Sequence, residues 1–124
     1  MTTIDDMPTT ELVAFLHDAA YCLAGPADHA AIDLLAGAGL WAASRGLRPA
    51  ISTTGTVDWR KLRRLARAVS SSGEAAVVDI AASLTANTQI KLADALSVLD
   101  DGNLARVADA IGRVRLRCPI GGWA

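Results

Sequence analysis

The chain has 124 residues, 52% of them apolar and 20% charged, with a formal net charge of −1. That length allows one domain with a hydrophobic core of its own, and the composition excludes a mostly disordered chain. Alanine contributes 25 residues against 5 aromatics and 4 prolines. Alanine is the best helix former and is depleted in strands, so the expected fold class is all-α: a compact five- to six-helix bundle, not a β-sandwich or barrel.

Near-neutral charge argues against long-range steering toward nucleic acid or an anionic membrane. The two halves differ, however: residues 1–58 sum to −5 and residues 59–124 to +4, which points to a dipolar molecule with a locally basic surface. No basic leader followed by an apolar stretch opens the sequence. The most apolar window, 30–43, has 14 residues and contains Asp33, short of the roughly 20 apolar residues that a bilayer span needs. A cytoplasmic protein with Cys22 and Cys118 as reduced thiols is expected, with a disulfide pinning the tail as the alternative. The cysteines match no metal-binding spacing, and neither a metal nor a cofactor is expected.

In chain order, residues 1–8 read as a loose start. Thr9 or Thr10 can cap a first helix, with Leu12, Leu16, Ala19 and Leu23 on one stripe and Gly25-Pro26 as its stop. A second helix is expected from Asp28 to about Arg45. Ala31, Leu34, Leu35, Ala38, Trp41 and Ala42 form its main face, and Ile32 and Leu40 make it apolar nearly all round, so it should be the central helix. Gly37 and Gly39 inside it read as points where another backbone comes close. Residues 46–57 (GLRPAISTTGTV) read as a linker and the expected hinge. Asp58 caps a third helix from Trp59 to about Ser71, with Trp59, Leu62, Leu65, Ala66 and Val69 inward. Ser71 and Glu74 have the spacing of a capping box that opens a fourth helix, with Val77, Ile80, Ala81 and Leu84 inward and a break at Asn87-Thr88. A fifth helix turns Leu92, Ala95, Leu96 and Leu99 inward. Asp100-Asp101-Gly102-Asn103 reads as a turn with Gly102 as a left-handed exit. The sixth helix carries Leu104, Val107, Ala108, Ile111 and Val114 inward, with an Asp109–Arg113 pair at i, i+4. A tail, 117–124, ends in Gly121-Gly122-Trp123.

The third helix carries the sharpest functional signal. Arg60, Arg63, Arg64 and Arg67 fall within an arc of about 100°, opposite the apolar face, and no acid lies within the helix. Guanidiniums take carboxylates and phosphates with a fixed two-pronged geometry. The expected function is a non-enzymatic interaction or regulatory module that binds a protein partner or self-associates. Arg60, Arg63, Arg64, Arg67 and Trp123 are its binding residues, the last because tryptophan is favoured at interface hot spots. The alternative is a nucleic-acid-binding protein that holds the phosphate backbone on helix 59–71. The fourth helix offers no Arg, Lys, Gln or Asn near its start with which to read bases. The bland reading is a solvated face, or pairing with the acidic first half.

His17, Asp18, Tyr21, Cys22, His29 and Asp33 form the one group with ligand chemistry. His17 and Tyr21 lie roughly opposite the core stripe of the first helix, so surface histidines and a His29–Asp33 pair at i, i+4 are expected, not a catalytic or metal centre. Asp33, amid apolar neighbours, needs a partner if buried, with His29 or Arg45 as candidates. The run Val69-Ser70-Ser71-Ser72-Gly73-Glu74 before an apolar helix resembles the signature segment of ABC-type ATPases, which implies phosphate contact at a helix N-terminus. No G-x-x-x-x-G-K-[ST] loop accompanies it, and local capping accounts for the same residues.

Overall fold

Side-chain caps set several of the helix starts in the computed structural model, which describes residues 3–23, 26–85 and 88–117. The helices are α1 (Thr9–Leu23), α2 (Pro26–Gly37), α3 (Trp59–Val69), α4 (Ser72–Thr85), α5 (Leu92–Ser97) and α6 (Asp101–Arg117). Proline at the first position of α2 loses no hydrogen bond, because that N–H has no intrahelical acceptor. The Asp58 carboxylate accepts from the Lys61 backbone N–H at 3.1 Å and starts α3. The capping box at α4 closes in both directions: the Ser71 N–H donates to Glu74 Oε1 at 3.1 Å, and the Glu74 N–H donates to Ser71 Oγ at 3.2 Å. At α6 the cap is Asp100, whose Oδ1 accepts from the Asn103 N–H at 2.7 Å. Gly102 therefore lies inside α6, not in the turn before it.

The second helix stops eight residues before the expected Arg45. The Leu40 N–H reaches back to the Leu35 carbonyl at 2.9 Å, the Gly39 N–H reaches the Ala36 carbonyl at 3.0 Å, and Gly39 has φ +75°. Those two bonds around a left-handed residue are a Schellman ending, which glycine adopts without a Cβ penalty. Gly39 is thus a terminator. A Cβ there would meet nothing, and one at Gly37 would meet the Arg106 side chain at 3.4 Å, so neither glycine makes room for another backbone. Beyond the stop the chain folds back, and buried Trp41 donates its indole N–H to the Ile32 carbonyl at 3.1 Å.

Residues 46–57, expected as a hinge, are packed and hydrogen-bonded. Ile51 and Val57 form an isolated antiparallel bridge, and the Asp58 N–H donates to the Ala50 carbonyl at 2.8 Å. Arg48 is 3% exposed. Its Nε donates to the Trp41 carbonyl at 2.9 Å, and its Nη1 donates to the carbonyls of Ile4 at 2.7 Å and of Met7. A buried guanidinium is tolerable when its N–H groups have acceptors, and here backbone carbonyls of the N-terminal turn supply them.

The second helix is central, as expected, and α4 shares that place. α2 packs against α1, α4 and α6, and α4 packs against α2, α3, α5 and α6. Ala76, Val77, Val78, Ile80, Ala81 and Ala82 of α4 are all buried, so that helix is covered nearly all round. Leu12, Leu16, Leu35, Trp41, Leu62 and Val107 are among the other residues of the core. Val69, Leu92, Leu104, Ala108 and Ile111, expected inward, are exposed. Among the described residues no strand forms, and no helix is long and apolar enough to cross a membrane.

Candidate functional site

The α3 cylinder separates its chemistry by face. Leu62 and Ala66 are fully buried, while Arg60, Arg64 and Arg67 are exposed. These three arginines follow an i, i+4, i+7 rhythm and fall within an arc of about 60°. Arg63 sits at the edge of that arc and is not available in the same way. Its Nε donates to Asp79 Oδ1 at 2.8 Å, and both side chains are largely covered. Arg67 makes a longer contact of 3.8 Å to the same oxygen, with its side chain 62% exposed. Among the described residues Arg60 and Arg64 make no ion pair, and none of the four pairs with an acid of the first 58 residues. The cleft beside this face mixes signs: Arg63, Arg67 and Lys91 line it together with Asp79 and Asp94, so cationic character is confined to the outer strip.

The histidine group forms differently from the expected i, i+4 pair. His17 Nε2 meets Asp33 Oδ1 at 2.7 Å, and His17 Nδ1 meets His29 Nδ1 at 2.7 Å with the rings 13° from parallel. Asp33 Oδ2 accepts from Arg113 Nη1 at 3.0 Å, and Arg113 Nε donates to Asp109 at 2.9 Å, the expected i, i+4 pair. A chain of polar contacts therefore runs His29–His17–Asp33–Arg113–Asp109 across α2, α1 and α6. One proton fits between the two Nδ1 atoms. When both rings are neutral, His17 carries its proton on Nε2, facing the carboxylate, so His29 must carry one on Nδ1. Arg45, one of the two candidate partners of Asp33, instead pairs with Glu74 at 2.7 Å.

Both ring nitrogens of His17 are engaged. Among the described residues no group of three or more His, Cys, Asp or Glu side chains is placed to hold a metal ion. Trp123, named as a binding residue, and Cys118 lie outside the described residues. The segment that resembles an ATPase signature is occupied locally. Ser71 and Glu74 close the α4 N-terminus on each other, and a Cβ at Gly73 would stand 3.1 Å from the Val98 carbonyl oxygen, so the glycine serves close packing. No family model matches the chain, nor does any curated protein or solved structure.

Proposed function

We propose that the chain is a non-enzymatic helical interaction module that docks an acidic protein surface on the outer strip of α3. The observation behind this reading is the contrast on one helix: Arg63 is tied to Asp79, whereas Arg60 and Arg64 point outward without an ion pair among the described residues. Exposed arginine forks pre-set at i, i+4 and i+7 suit a row of carboxylates. In this reading the protein works in the cytoplasm, with Cys22 and Cys118 as thiols, and needs no cofactor.

The test is a binding titration against an Asp/Glu-rich peptide and against duplex DNA at several salt concentrations. The peptide should bind at low ionic strength and weaken as salt rises. Arg60→Glu/Arg64→Glu should lower its affinity at least about tenfold, the summed effect of exposed ion pairs. Arg63→Ala should act mainly on stability, by leaving Asp79 only the longer contact to Arg67. DNA bound more tightly than the peptide, with a steep salt slope, would move the assignment to the nucleic-acid reading. Indifference of both probes to the double reversal would overturn the basic strip as a docking surface.

A further inference from the structure

The carbonyls that hold Arg48 satisfy only part of its guanidinium. Nε donates to the Trp41 carbonyl, and Nη1 donates to the carbonyls of Ile4 and Met7, with the Asp5 carbonyl farther off at 3.4 Å. Both Nη1 hydrogens are thereby used. Nη2 carries two more N–H groups and has no acceptor among the described residues. It is not sealed in the interior: among the described residues the one buried side-chain polar atom without a partner is Ser70 Oγ. Arg48 also has no carboxylate partner among the described residues, although it is only 3% exposed. A charge that deep is normally paired, because carbonyl dipoles solvate a cation without neutralising it. The same side chain lines a cleft of about 500 Å³ together with Ile4, Met7, Phe15, Pro49 and Ile51. The polar lining residues, Thr3, Asp5 and Thr53, are exposed.

We propose that this cleft binds a small monocarboxylate with an apolar body, its carboxylate on Arg48 Nη2 and its body against Ile4, Met7, Phe15 and Ile51. The volume lies in the range of small-molecule sites, roughly 300–1,000 Å³, and such sites combine a mostly apolar wall with a few convergent polar groups. Here the polar group is a fixed cation. Three engaged N–H groups hold the guanidinium in place, so a ligand meets a donor that is already oriented. A hydrogen bond from a guanidinium to a carboxylate is short and strong, and it supplies the missing counter-charge. One free nitrogen also sets the charge of the ligand. A phosphate dianion would bring a second negative charge and a third oxygen into a wall with no further cation, beside the Asp5 carboxylate. Methionine adapts to the shape of an alkyl body, as an unbranched side chain with three rotatable bonds. This site is separate from the α3 strip and does not rest on the function assigned to it.

Titration of the full chain with octanoate, octanol and octyl phosphate, followed by amide chemical shifts, tests the site. Octanoate should bind saturably, with shifts centred on residues 3–7, 15 and 48–53. Octanol has the same body without the charge and should bind at least about tenfold more weakly; octyl phosphate should also bind more weakly than octanoate. Arg48→Met should remove the preference for octanoate, but it also frees the N-terminal turn and can unfold the protein. Two exposed rim positions therefore carry the test. Thr53→Glu should weaken octanoate at least about threefold and leave octanol unchanged, and Asp5→Asn should tighten octanoate, because each changes the charge at the mouth without touching the clasp. Absence of saturable octanoate binding would overturn the proposal. So would octanol or octyl phosphate binding as tightly as octanoate, shifts centred away from the cleft, or octanoate affinity indifferent to both rim variants.

Discussion

At Gly55 two independent constraints exclude a side chain. Its φ is +87°, and a Cβ would stand 2.7 Å from the Cβ of Ala19 on α1. Gly55→Ala should therefore cost roughly 2–4 kcal/mol, combining backbone strain with overpacking, read as a drop in urea midpoint at unchanged slope. Gly39 shares the left-handed backbone but faces open space, so the same substitution there should cost only about 1 kcal/mol, the conformational part alone. The difference between the two sites separates strain from collision. Neither role is visible in the sequence, where Gly55 reads as one more linker glycine. Arg48 shows the same limit more sharply. A Gly/Pro/Ser/Thr-rich stretch normally marks a solvent-facing connection, and nothing in GLRPAISTTGTV signals that its arginine is buried among carbonyls contributed from more than 40 residues away.

Among elements, starts were more legible than ends. The Asp58 cap and the Ser71–Glu74 box follow from side chains that bond to backbone within three residues, so spacing alone finds them. Ser71→Ala should lower stability by about 1 kcal/mol, measured by thermal or chemical melting, because it leaves the Glu74 N–H without its acceptor. Glu74→Gln should cost less, since the amide oxygen still accepts from the Ser71 N–H and only the half-exposed Arg45 pair weakens. The stripes of α5 and α6 were the harder reading. Periodicity locates an apolar face but not its neighbour, and α6 has more apolar circumference than its contacts with α2 and α4 cover. That surplus leaves Leu104 and Ile111 outside. The basic strip of α3 was legible for the opposite reason: arginines at i, i+4 and i+7 over buried Leu62 and Ala66 leave one way to orient the cylinder. The Asp79 partner on α4, which removes Arg63 from the strip, depends on helix packing and was not.

On the scale of the whole molecule, Asp33 joins three helices. It sits on α2 and accepts from His17 of α1 and Arg113 of α6. All three side chains are partly exposed, so solvent screens the ion pairs, and Asp33→Ala should cost about 1 kcal/mol. The sharper readout is a double-mutant cycle. In the Asp33→Ala background His17→Ala should cost measurably less than in the parent, because the two deletions remove a shared contact; strict additivity in urea melts would show that the His17–Asp33 contact contributes nothing. The bundle also carries a rival arrangement in its own chain. Residues 38–45 continue the helical rhythm of α2, with Ala38, Trp41 and Ala42 in phase, yet Gly39 turns the backbone left-handed and sends Trp41 back to the Ile32 carbonyl. A side chain at 39 would strain that residue alone, by about 1 kcal/mol, yet it would tilt by the same amount a contest between a straight, longer rod and the folded-back hook whose indole is held by the Ile32 carbonyl.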